Sequence, residues 1–135
     1  MKLFFVDTAG WMALVDERDP AHEGSREARD EWLRSGGVLV TSDYVVDETL
    51  TLLKIRLGLH VAWRWWEAVD SSQRLRLESV SAERASRART WFFGWRDKGF
   101  SFTDCTSFAL MRELRMRTAL TSDRHFVQAG FDVAP

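Results

Sequence analysis

The chain carries a single cysteine, Cys105, among 135 residues. That excludes an intramolecular disulfide and a zinc site built from cysteines, and it gives no sign of an oxidising compartment. The three histidines, His22, His60 and His125, are scattered, with no HxxxH pair to hold a metal from one helix face. Each reads as a surface or packing residue. No apolar run approaches the ~18 residues of a membrane span. The run LFFV at 3–6 is stopped by Asp7, far short of the core of a signal peptide. A cytoplasmic location without membrane attachment is expected. Neither GxxxxGK[ST] nor GxGxxG occurs, so a P-loop and a dinucleotide fingerprint are both excluded. Charge of one sign is lacking too. The formal net charge is −1, which provides no global attraction to nucleic acid but leaves local segregation of charge open. Lysine is scarce: Lys2, Lys54 and Lys98 are the only three among 19 basic residues. The rest are arginine, whose fork suits phosphate and whose plane stacks on bases. A codon-composition bias explains the same excess.

What is present is a globular composition. Hydrophobic residues make up 45% and charged residues 29%, enough for one domain over 1–135 with a real core. Apolar runs bounded by turn signals alternate with helical patterns, without repeats or linkers. Lys2–Val6 is a short continuous apolar run, the pattern of a strand buried on both faces. A short helix is expected over Trp11–Val15, and Asp19-Pro20 breaks it. Ala21–Ser35 is a charged helix ended by Gly36-Gly37. Strands are expected at Val38–Thr41, Leu75–Ser79 and Ala119–Thr121, with a marginal fifth at Asp132–Val133. Helices are expected over Tyr44–Leu57 (capped by Ser42 or Asp43), Val61–Asp70, Ala82–Trp95 (capped by Ser81) and Asp104–Arg115. This βαβα order predicts a parallel sheet covered by helices on both faces, with ligands bound beyond the carboxyl ends of its strands.

The acids sort themselves against that frame. Asp7 follows the first strand and Asp123 the fourth, so both belong to the carboxyl edge. Asp104 opens a helix whose inward face also holds Phe108, Met111 and Leu114. Each of these acids is equally suited to capping a helix. Glu48 is more informative. At about 100° per residue it falls between Leu52 and Ile55, on the margin of the apolar stripe, whereas Asp47 falls on the polar side. Leu52 occupies i+4, so no lysine or arginine stands at that position to neutralise Glu48. Four converging carboxylates would repel by about 4 kcal/mol per pair at ~4 Å and an effective dielectric near 20. A cation among them removes that cost, and an oxygen-only donor set suits Mg²⁺ or Mn²⁺ better than Zn²⁺. Thr8, Thr103 and Ser122 are candidate supporting hydroxyls, or simply helix caps. Arg124 is a candidate phosphate contact or a surface arginine. The stretches WRWWEAV at 63–69 and WFFGW at 91–95 suit core packing, a partner groove, or stacking on RNA bases.

Four stretches, FFVDTAGWMALV at 4–15, VVDETLTLL at 45–53, FTDCTSFALMRELRM at 102–116 and ALTSDRHFVQAGF at 119–131, carry a family likeness across almost the whole chain. The sequence resembles the PIN-domain nucleases, and within them the VapC toxins of bacterial toxin–antitoxin pairs. The resemblance implies a Rossmann-like, three-layer α/β sandwich with a central parallel sheet of four to five strands. It implies catalytic and metal-binding acids at Asp7, Glu48, Asp104 and Asp123, with a hydroxyl at Thr8. It further implies a Mg²⁺- or Mn²⁺-dependent endoribonuclease, a homodimer, held inert by a cognate VapB-type antitoxin. The rival reading is a non-catalytic PIN scaffold that binds RNA or a protein. The tryptophan content of 60–99 is higher than that family leads one to expect.

Overall fold

The computed structural model describes residues 2–135. Five parallel strands form one sheet: β1 (Leu3–Val6), β2 (Val38–Ser42), β3 (Leu75–Glu78), β4 (Thr118–Leu120) and β5 (Asp132–Ala134), in the spatial order β3-β2-β1-β4-β5. Between them run α1 (Thr8–Val15), α2 (His22–Arg34), α3 (Asp43–Leu57), α4 (Leu59–Ser71), α5 (Ala82–Gly94), α6 (Phe102–Glu113) and the four-residue α7 (His125–Gln128). The expected α/β sandwich is present, with the fifth strand formed.

Strand β1 is central because nothing in it needs water. Phe4, Phe5 and Val6 are at most 1% exposed. Alternation sends Phe4 and Phe5 to opposite faces. The Phe4 ring meets Trp32 of α2 at 4.6 Å, and Phe5 stacks on Phe126 of α7 at 6.4 Å, so both faces of the sheet are covered. Phe126 in turn packs edge-on against Phe108 of α6 at 5.0 Å. Ser42 caps α3 by accepting from the Val45 N–H, and Ser81 caps α5 by accepting from Arg84 N–H. Gly58, at φ +102°, ends α3 in a conformation open to glycine.

Two boundaries and one element differ from expectation in ways that matter. Helix α1 starts at Thr8, well before Trp11, because Asp7 itself caps it. Helix α6 starts at Phe102 with Ser101 as its cap, so Asp104 is the third helical residue, the acid of a capping box, and not the cap. Helix α7 was not expected from the sequence, since four residues are too few to show a period. Among the described residues no helix is long and apolar enough to cross a membrane.

Candidate active site

The sheet order reverses between β1 and β4. Chains leaving the carboxyl ends of these neighbours diverge, which opens a crevice at the switch point. Asp7 and Asp123 stand on its two lips. Asp7 is buried. Its Oδ1 accepts from the Gly10 N–H at 2.8 Å, and its Oδ2 accepts from the Thr121 hydroxyl, also at 2.8 Å. Burial opposes the charged form more than these two bonds favour it. Asp104 and Asp123 add like charge. Together they push the Asp7 carboxyl from 3.8 up to about 7.

The Thr121 hydroxyl also accepts from the Asp123 N–H at 2.9 Å, tying one acid to the other. Asp123 Oδ1 accepts from the His125 N–H at 2.9 Å, a turn two residues long that starts α7. The His125 ring then reaches back. Its Nδ1 lies 2.9 Å from Asp104 Oδ2 and 3.4 Å from Asp123 Oδ1. Asp104 Oδ2 also accepts from the Ser101 N–H at 3.0 Å, which closes the capping box of α6. Ligand atoms of Asp104, Asp123 and His125 all lie within 4.8 Å of one another.

These acids open onto a cavity of about 340 Å³, lined among others by Asp7, Glu48, Asp104 and Asp123. All four acids singled out in the sequence therefore share one pocket. Glu48 and Leu52 reach it from α3, while Asp47 faces solvent, as their angles on the helix indicate. Thr8, Thr103 and Ser122 also line the pocket, whereas Arg124 is exposed outside its wall. Buried Thr8 receives a long bond from Thr49. The structure adds residues that the sequence did not single out. Thr121 binds Asp7. Asp19, from the turn after α1, is a fifth acid on the wall, and Arg56 is the one cation among the described lining residues. His125, read from the sequence as a surface or packing residue, is instead bonded to Asp104. The signal for it was the D-x-H spacing after β4.

A concentration of carboxylates around a largely buried acid fits a hard divalent cation. Asp104 Oδ1 and Asp123 Oδ2 make no hydrogen bond among the described residues, so each has a free oxygen to offer. The nearby thiol of Cys105 is buried, which pushes it up to about 11 and leaves it a protonated packing group.

The tryptophans divide between roles. Trp65 is buried edge-on against Trp11 at 5.5 Å, and Trp91 packs on Phe108 at 5.4 Å. Trp63 and Trp66 instead line an apolar groove of about 410 Å³ between α3 and α4, with Val46, Leu50 and Leu59. Trp63 is 54% exposed there.

Comparison with known proteins agrees with this geometry. The chain is 36% identical over 129 residues to the 23S rRNA-specific endonuclease VapC20 of Mycobacterium tuberculosis, covering 96% of this chain and 95% of that protein. It superposes on the crystal structure of Mycobacterium tuberculosis VapC20, described as a sarcin–ricin loop cleaving toxin, with a TM-score of 0.88 at 34% identity. That match covers 98% of this chain and 99% of the other. VapBC2 from Rickettsia felis, bound to a promoter DNA fragment, shares the fold at a TM-score of 0.73 and 13% identity, covering 97% of this chain and 96% of that one. The PIN-domain family model matches residues 4–132. With that match and the acids gathered at the β1–β4 crevice, the chain belongs to the PIN-domain family.

Proposed function

We propose that this protein is a Mg²⁺- or Mn²⁺-dependent endoribonuclease, the toxin of a toxin–antitoxin pair, acting in the cytoplasm. The observation that carries this reading is the convergence of Asp7, Glu48, Asp104 and Asp123 on one cavity at the switch point of the sheet. The likeness to VapC20 makes 23S ribosomal RNA the first substrate to try.

Asp104 and Asp123 would hold the cation through their free oxygens, together with Asp7 in its deprotonated form. Bound there, Mg²⁺ or Mn²⁺ would offset phosphate charge and lower the pKa of a water. Glu48, across the cavity on α3, orients the attacking water or accepts its proton. Thr8 and Ser122 place hydroxyls on the pocket wall. Arg56 meets the phosphate that the acids alone would repel. Attack of water at phosphorus displaces the 3′-oxygen, leaving a 5′-phosphate and a 3′-hydroxyl.

The test is incubation of purified protein with ribosomes and with total RNA, in EDTA, Mg²⁺ or Mn²⁺, beside Asp104→Ala. Discrete 23S fragments that need metal and disappear in the mutant are expected. A folded wild type that gives no metal-dependent fragments would move the reading to a binding scaffold.

The α3–α4 groove is the candidate seat for the antitoxin. It is apolar and bordered by exposed Trp63, and it suits the apolar face of an amphipathic segment. Trp63→Ala should weaken antitoxin binding by about tenfold or more, as loss of an aromatic anchor does, and leave RNA cleavage unchanged. Titration of each protein with the antitoxin, followed by a cleavage assay, measures both. Loss of cleavage with antitoxin binding intact would assign Trp63 to RNA instead. Exposed Tyr44, Phe92 and Phe93 form a second apolar surface, suited to a homodimer contact.

A further inference from the structure

Nothing in the acid set explains why His125 is drawn between two carboxylates. The ring stands on α7, and Phe100 packs edge-on against it at 5.4 Å. The ring is one-third exposed, and its Nδ1 points inward to Asp104 Oδ2. Both neighbours of Nδ1 are carboxylate oxygens, which only accept, so Nδ1 carries the proton. Asp104 Oδ2 thus receives two donors, the His125 Nδ1–H and the Ser101 N–H. With Oδ2 held twice, the carboxylate is fixed in rotation and Oδ1 is left over. Asp123 is oriented by the same residue, through the His125 backbone N–H on its Oδ1.

We propose that His125 is a positioning residue for the cation site: through Nδ1–H it locks the Asp104 carboxylate so that Oδ1 is the ligand atom. The inference rests on the cation reading above. It places His125 behind a ligand and not in the coordination sphere. Partners of this kind typically contribute 10–100-fold to metal affinity.

Asparagine carries an amide N–H near the position of Nδ1, and glutamine carries one near Nε2. The test is Mn²⁺ affinity, read by electron paramagnetic resonance of the free ion, for wild type, His125→Asn, His125→Gln, His125→Ala and Asp104→Ala. Melting curves in EDTA accompany each. His125→Ala and His125→Gln should bind Mn²⁺ at least tenfold more weakly, and His125→Asn within about threefold of wild type. Electron spin echo modulation of Mn²⁺ bound to wild type should show no directly coordinated nitrogen. Wild-type affinity in His125→Ala would overturn the proposal. So would affinity in His125→Asn as weak as in His125→Ala, or a coordinated nitrogen that makes His125 a ligand. Mn²⁺ binding that is absent from wild type, or unchanged in Asp104→Ala, would overturn the cation reading itself and this inference with it.

Discussion

Asp7→Asn should melt higher than wild type at pH 8 in EDTA, and should lose RNA cleavage by on the order of 10³-fold. Both effects have one cause. The folded protein holds a proton on Asp7 up to about pH 7, whereas the unfolded chain releases it near 3.8. Between those values the native state binds more protons, so its stability falls as pH rises through the window. The loss amounts to up to about 4 kcal/mol, because each tenfold difference in proton affinity between the two states is worth about 1.4 kcal/mol. An asparagine has the same shape and no charge to desolvate. Its carbonyl still accepts from Gly10 N–H, and the Thr121 hydroxyl can turn to accept from its amide. The variant should therefore show a nearly flat melting temperature from pH 5 to 8 where wild type declines. Magnesium should reverse the ranking. By binding only the folded, deprotonated site it stabilises wild type by mass action, and more so at higher pH. The variant lacks that ligand charge and should respond little. Parallel pH slopes for the two proteins would refute this account of Asp7.

Which parts of this site were legible in the sequence follows from how far each interaction reaches along the chain. Strand β1 announced itself because burial on both faces leaves no polar residue between Leu3 and Val6. Asp7 and Asp123 were placed by the strands they follow. Glu48 was separated from Asp47 by helix geometry alone. Asp104 was assigned to the right face although its helix begins two residues earlier, because the 3–4 spacing to Phe108 and Met111 does not depend on where the cap falls. The D-x-H spacing after β4 pointed to His125 but did not reveal what its ring bonds to. Its partner is 21 residues away, and the ring's direction is set by a turn that exists only once Asp123 has folded onto the His125 N–H. Asp19 and Arg56 were missed for a similar reason: a loop and a helix end enter the wall only after α1 and α3 pack together. Strand order was equally out of reach, since the βα succession dictates parallel pairing but not that β4 returns beside β1. Trp63 and Trp65 differ by two helical positions, about 200° of rotation, and so one faces solvent while the other is core.

The same crevice makes Gly10→Ala a damaging substitution, small as the added methyl is. Gly10 sits within α1, where alanine ordinarily gains about 1 kcal/mol in helix propensity. Here a Cβ would lie 2.1 Å from the Leu120 carbonyl oxygen and 3.0 Å from Val6 Cγ1. The first of these is backbone in β4, so no rotamer change relieves it. Helix α1 must retreat from the sheet, at a cost of about 3 kcal/mol or more, which exceeds the propensity gain. That corresponds to a fall in melting temperature of roughly 10 °C. The retreat also reaches the chemistry. The Gly10 N–H holds Asp7 Oδ1, and Thr121, next to Leu120, holds Oδ2, so moving α1 from β4 pulls on both sides of the Asp7 carboxylate. Cleavage should fall at least tenfold at a temperature where the variant is still folded, since a shift of about 1 Å is enough to cost that much. Gly94→Ala is the control. It closes α5 with nothing within 4 Å of its Cβ position and should be neutral in both assays. A Gly10→Ala protein that melts within about 2 °C of wild type and cleaves normally would mean that α1 does not press on β4 as closely as these distances require.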